Sequence, residues 1–255
     1  MKVILTHDID SIKKPFKHIW QRRERFTLKD LTLAALGIKN LYNNIEEIVA
    51  LEDKYGFRST FFVPVFLFNL NEILDILKKI QKDGWEVQLH YVHEPIQHQG
   101  LFKMQKMFFE KHLGKVKGVR SHMLIINKDI LEMFRREGII YDSSYRSETL
   151  GTFNPILINK NLVEIPVGLM DADIFGRLKL GEKQAWKYIL WKIKRAEKNG
   201  AKYFTILFHQ ESYKMKGGKL YKKLVEYIAE KRIEVHRSID VARNLREKRD
   251  LLHSK

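Results

Sequence analysis

The chain has 255 residues, 44% of them hydrophobic, with 14 Gly and 5 Pro, which is enough to bury a sizeable core and excludes a disordered or fibrous protein. Its 47 Lys and Arg against 31 Asp and Glu give a formal net charge of +16, so a polyanionic partner is worth weighing although charge alone names none. The absence of cysteine excludes disulfides, thiolate catalysis and thiolate-bound zinc, leaving histidines and carboxylates as metal ligands.

Residues 3–6 read as the first strand, and this apolar start is too short for the core of a secretory signal, so the expectation is a cytoplasmic protein. No stretch approaches the roughly 20 apolar residues of a spanning helix; the most apolar segment, 59–70, is broken by Pro64 and Asn69. Abundant Lys, Glu and Ile without Cys lean toward a thermophile. Residues 11–42 are long for a connection. In them Lys13, Lys14, Lys17, Arg22, Arg23, Arg25 and Lys29 interleave with Phe16, Trp20 and Phe26. This segment reads as a basic lid, as a membrane-surface or nucleic-acid patch, or more plainly as a solvated helical insertion whose aromatics pack down; the plain reading is preferred.

Beyond it, helical patterns at 45–54, 71–82, 128–137, 182–199 and 220–231 alternate with apolar runs at 59–63, 86–89, 118–120, 139–141, 162–165, 204–208 and 233–236. Gly84, Gly138 and Gly200 follow three of the helices and suit left-handed C-terminal caps. Such alternation is that of βα units around a largely parallel sheet. No linker or fixed repeat divides the chain, so one domain over residues 1–255, with the basic insertion at about 11–42, is expected.

In parallel α/β folds the chemistry collects at the C-terminal ends of the strands. Here polar groups recur at that end: His7-Asp8-Ile9-Asp10, then His90-Tyr91-Val92-His93-Glu94, Arg120-Ser121-His122, Asp142-Ser143-Ser144, the run 166–171, and His209-Gln210-Glu211. One polar residue after a strand is the ordinary start of a solvated loop; the recurrence is what points to a site. His7, His90, His122 and His209 sit at or just past strand ends and His93 follows shortly after. With Asp8 and Asp10 they supply ligands for a divalent ion such as zinc, which in catalytic sites takes three protein ligands and leaves one position for water. Metal-assisted hydrolysis then needs a carboxylate base and a proton donor for the leaving group.

The Asp-x-Asp after the first strand, a histidine pair after the third, an arginine after the fourth, Tyr141-Asp142-Ser143-Ser144 and Leu207-Phe208-His209 together resemble the NodB-type polysaccharide deacetylases, carbohydrate esterase family four. The first motif is similar to that family's variant with a residue between the aspartates, and the resemblance runs from Val3 to about Gln210. It implies an α/β fold, a distorted (β/α) barrel of about seven parallel strands. By position it makes Asp8 the general base and Asp10 and His90 metal ligands, with His93 the second histidine. The family places its histidines four apart and these are three apart, so Glu94 and His98 stand as alternatives. Arg120 would pair with the catalytic aspartate, and His209 would be the general acid. Asp142 is assigned to orient His209, with Asp171 and Asp173 competing. Tyr91, His122, Tyr145 and Asp171 are assigned to the substrate pocket, and Trp20, Phe153 and Met170 lie on the same loops.

The expected activity is hydrolysis of an N-acetyl amide on a carbohydrate or sugar precursor, with a divalent metal, zinc foremost. A phosphate-bearing or lipid-linked carbohydrate would suit the charge, and no strong case exists for nucleic acid. The rivals are an amidohydrolase acting on a non-sugar amide, and a metal-free basic binding protein whose 11–42 segment contacts nucleic acid or an acidic membrane.

Overall fold

A computed structural model of the chain describes residues 1–93, 99–158 and 161–253. In chain order its strands are β1 Lys2–Asp8, β2 Thr60–Val63, β3 Glu86–Tyr91, β4 Gly118–Ser121, β5 Tyr141–Asp142, β6 Ile156–Ile158, β7 Leu162–Glu164, β8 Val167–Met170, β9 Tyr203–Leu207 and β10 Val235–His236. The helices are α1 Phe16–Gln21, α2 Leu28–Ala35, α3 Ile45–Asp53, α4 Leu74–Lys82, α5 Gln99–Leu113, α6 Lys128–Arg136, α7 Ser147–Leu150, α8 Glu182–Lys198, α9 Lys216–Glu230 and α10 Ser238–His253.

Near-continuous apolar runs mark strands covered on both faces, and β1 is buried at every position after its first. It lies between β2 and β9, both parallel to it. The order β5-β4-β3-β2-β1-β9-β8 is a curl of parallel strands, with β7 and then antiparallel β6 added beyond β5. The ends of the curl meet at a parallel bridge between Arg146 and Val167, where the Val167 N–H donates to the Tyr145 carbonyl at 2.8 Å. The distorted barrel implied by the resemblance is therefore the architecture observed.

Five helices fall where the sequence predicts them, and Gly84, Gly138 and Gly200 terminate α4, α6 and α8 with φ of +99°, +74° and +68°. Two strands are unpredicted. The run 162–170 reads as one strand and a loop, but Pro166, which lacks an N–H, divides it into β7 and β8. Within β8, Gly168 lets the strand approach its neighbour, since a Cβ there would lie 2.6 Å from the Phe204 ring.

Two buried carboxylates brace the barrel away from its mouth. Glu52 accepts hydrogen bonds from Ser59, Trp85 and Tyr221 and faces His7 Nε2 at 2.8 Å, while His7 Nδ1 reaches the Phe208 carbonyl, also at 2.8 Å. His7, grouped by sequence with the metal-capable histidines, thus faces away from them, because side chains alternate along β1 and Asp8 takes the opposite face. Glu86 accepts from Thr60, Tyr141 and the Ile239 N–H, and burial pushes its carboxyl above the usual range despite these donors.

Segment 11–42 is held down by a small apolar cluster of Ile19, Leu31, Leu41 and Tyr42. The Gln210 side-chain amide donates to the carbonyls of Ser11 at 2.6 Å and Tyr42 at 2.7 Å, clamping both ends of the segment beside His209.

Candidate active site

Asp8 ends β1 and is buried. Its Oδ1 accepts from Arg120 Nη1 at 2.9 Å, and Oδ2 lies 3.7 Å from His90 Nε2. Arg120, on β4, is fully buried. Its remaining donors go to Thr6 Oγ1 at 2.9 Å, the Ser143 carbonyl at 2.8 Å and Ser143 Oγ at 2.7 Å, and its guanidinium lies 4.3 Å from the centre of the Phe62 ring. A guanidinium committed in this fork holds the Asp8 carboxylate in one orientation.

Opposite this pair stand Asp10, His90 and His122, whose donor atoms all lie within 4.8 Å of one another. His90 Nδ1 is 2.9 Å from the Arg120 carbonyl, which only accepts, so Nδ1 carries a proton and Nε2 is directed inward. That Nε2 lies 3.1 Å from Asp10 Oδ1 and 3.2 Å from His122 Nδ1. Among the described residues, buried Asp10 Oδ1 finds no hydrogen bond of good geometry. Burial pushes the Asp10 carboxyl up, but His122 and His90 outweigh it and hold the group well below the usual carboxylate range. The contact with Asp10 in turn raises His122 above the ordinary imidazole value.

His122 reaches this cluster because Ser121 ends β4 and Met123 and Leu124 adopt left-handed φ of +58° and +55°, a turn rarely taken by side-chain-bearing residues and often found at functional sites. The three-donor group contains His122 where the sequence reading named His93. Period two along an extended chain explains this: His90 faces the mouth, whereas Tyr91 and His93 fall on the other side, their rings 5.8 Å apart. Tyr91 is accordingly a core residue, fully buried with its ring 5.1 Å from Phe102, rather than a pocket residue. Glu94 and His98 lie outside the described residues.

On the third side, His209 follows β9. Its Nδ1 is 2.6 Å from Asp171 Oδ1, its N–H donates to Asp171 Oδ2 at 3.2 Å, and its Nε2 is 3.6 Å from Asp10 Oδ2. Burial opposes protonation of this ring, yet Asp171, with Glu211 and Asp10, raises it well above the ordinary imidazole value. Asp142, assigned by sequence to orient His209, does not reach it. It accepts instead from Ser144 Oγ at 2.6 Å and from the Ser144 N–H, and Ser144 Oγ in turn accepts from the Ser121 N–H at 2.8 Å. The reason is sheet order, since β8, which delivers Asp171, is the hydrogen-bonded neighbour of β9, and β5 is not. Asp173 is committed to ion pairs with Arg146 and Arg177. Tyr145 is partly buried at the barrel seam.

Comparison with solved structures identifies the fold. A protein assigned as a polysaccharide deacetylase from Mycobacterium smegmatis superposes with a TM-score of 0.69 at 19% identity, over 97% of this chain and 90% of that one. The fold is that of the NodB-type polysaccharide deacetylases. The same deacetylase fold is matched in an allantoinase (TM-score 0.68, 14% identity, 94% and 88% covered) and in a Bacillus anthracis CE4 family pseudoenzyme (TM-score 0.58, 12% identity, 94% and 65% covered). No protein-family model matches the sequence, and no curated protein does.

Within this deacetylase fold, two contributors escaped the sequence reading. Ser143 anchors Arg120 through both its carbonyl and its hydroxyl, a role that no spacing announces. Glu211 lies beside His209 with a buried Oε2 that has no hydrogen-bond partner among the described residues, and burial pushes its carboxyl up to about 8. Its only sequence signal was its place directly after the last strand's histidine.

Proposed function

We propose that the protein is a metal-dependent hydrolase that cleaves the amide of an N-acetyl group on a carbohydrate or sugar precursor. The observation that carries this reading is the convergence of Asp10, His90 and His122, flanked by Asp8 with Arg120 and by His209 with Asp171. These residues fit a divalent ion, because among the described residues buried Asp10 Oδ1 is short of hydrogen bonds while His90 Nε2 is directed at it. One carboxylate and two imidazoles suit zinc first, and manganese, cobalt, nickel or iron as well. Such an ion, when bound, polarises the amide carbonyl and makes water a better nucleophile.

The chain's own groups supply the rest. Asp8, held at Oδ1 by Arg120, offers Oδ2 as a base toward the same point. His209, with Nδ1 engaged by Asp171, carries a proton on Nε2 for the departing amine nitrogen. No covalent enzyme intermediate is needed. The carbohydrate class rests on the Mycobacterium smegmatis likeness, and a phosphate-bearing or lipid-linked form on the charge of +16. The allantoinase likeness supports a second reading, hydrolysis of an amide outside the sugars.

The test is elemental analysis of the wild type, Asp10→Ala and His90→Ala, with acetate release from N-acetyl sugars with and without phosphate. Near-stoichiometric metal and acetate release, both lost in the variants, support the proposal. Metal without acetate, but with hydrolysis of a non-sugar amide, moves the second reading forward. A chain that takes up no metal under any loading condition overturns both and favours a basic binding protein.

A further inference from the structure

The connections after β1, β2 and β4 leave the barrel at the end where the candidate site opens, because these strands run parallel. The longest of them carries α1 and α2, and over residues 11–42 it holds eight Lys and Arg against two acidic residues. Its aromatics do not all pack down. Phe16 and Trp20 are 40% and 51% exposed, their rings 6.1 Å apart, with the Arg23 guanidinium 5.3 Å from the Trp20 ring.

Helix α2 turns Leu31 inward and leaves Leu28 81% exposed, and Leu36, just past its end, is 66% exposed. Phe66 and Leu67 after β2, and Met123 after β4, are exposed at the same end. Scattered exposed apolar side chains are ordinary. Trp, Phe and Leu interleaved with Lys and Arg on one surface segment are instead the composition of an interfacial helix.

We propose that this end of the barrel docks on an anionic membrane surface. Phe16, Trp20, Leu28 and Leu36 enter the headgroup boundary, and Lys13, Lys17, Arg23 and Lys29 meet acidic headgroups. Charge selects this occupant: a second copy of the chain would bring a like-charged face against the segment. Nucleic acid would satisfy the cations but give Leu28 and Leu36 no apolar medium. Docking of this kind needs no spanning segment, and among the described residues no helix is long and apolar enough to cross a membrane. The inference deepens the proposed function, and rests on it, in one respect: a mouth facing the bilayer would take an N-acetyl sugar linked through phosphate to a lipid.

The test is co-sedimentation of the full chain with vesicles of phosphatidylcholine alone and of phosphatidylcholine with phosphatidylglycerol. Binding is expected only with phosphatidylglycerol and is expected to weaken with salt. The triple variant Lys13→Gln, Lys17→Gln, Arg23→Gln should lower the partition coefficient on the order of a hundredfold, at about fivefold per charge. The double variant Phe16→Ser, Trp20→Ser should also weaken binding, and circular dichroism should show both variants folded, since the positions are exposed. Equal binding to neutral vesicles, or binding unchanged in both variants, overturns the proposal. So does self-association that the double variant abolishes, or retention on nucleic acid in preference to vesicles. Asp10→Ala should bind vesicles like the wild type, so failure of docking and failure of the hydrolase reading are seen separately.

Discussion

His209 Nδ1 lies 2.6 Å from Asp171 Oδ1, while the far nitrogen of the same ring looks across 3.6 Å to Asp10 Oδ2. Asp171 comes next after β8 and His209 one residue beyond Phe208 after β9, and the ladder of these strands pairs Met170 with Leu207, so a rigid sheet sets their separation. Asp171 fixes which nitrogen is turned to the site and favours the protonated ring against the effect of burial.

His209→Gln is therefore expected to lower kcat by about 10² to 10⁴, the usual contribution of a general acid. Because the acid must be protonated, activity falls as pH rises through its raised pKa. Asp171→Asn removes the charge that raises it, so the alkaline limb of the pH–rate profile should move to lower pH. A limb that stays in place in Asp171→Asn would assign it to another group.

Metal content separates the two candidate histidines. His122→Ala should lose the metal, since its Nδ1 stands 3.5 Å from Asp10 Oδ1 in the converging group. His93→Ala should keep it. Elemental analysis giving the reverse would restore the sequence assignment of His93.

Arg120→Met would leave Asp8 buried and unpaired and strip Ser143 and Thr6 of their donor. Breaking a buried pair in this way costs about 3 to 5 kcal/mol, and urea denaturation should show a loss of that size together with loss of activity. Arg120→Lys restores the charge but not the fork to Ser143, so it should recover part of the stability and little of the activity.

Glu86 gives a pH signature independent of the site. Its folded pKa is raised by burial, so its stability contribution is fully present below the unfolded carboxylate value, near 4.3, and is lost as pH rises through the folded value. Glu86→Gln keeps an acceptor for Thr60 and the Ile239 N–H and a polar partner for Tyr141. Its thermal midpoint should fall less than that of the wild type between acid and neutral pH. Parallel curves would locate the titration elsewhere.

Most of the barrel was legible in the sequence. The buried run of β1, the glycine caps of α4, α6 and α8, and polar groups at successive strand ends are local signals, and each appears where residue type dictates it. β8 was not legible, because Pro166 breaks one apolar run into two strands that belong to different parts of the sheet. α5 was missed for want of clear periodicity and caps, whereas segment 11–42 was read as a helical insertion without bounds for α1 and α2.

The sequence by itself determined the chemistry available: a cysteine-free chain with Asp8, Asp10, His90, Arg120 and His209 at strand ends of a parallel α/β fold. Only the tertiary structure decided which of these groups work together. His122 joins Asp10 and His90 through a left-handed turn after β4, and Asp171 rather than Asp142 meets His209 because β8 lies beside β9. Residue identity is a local property, whereas partnership depends on strand order and on which face each side chain takes. The face follows from alternation along each strand, but strand order is set by long-range pairing that the spacing of residues along a chain does not encode.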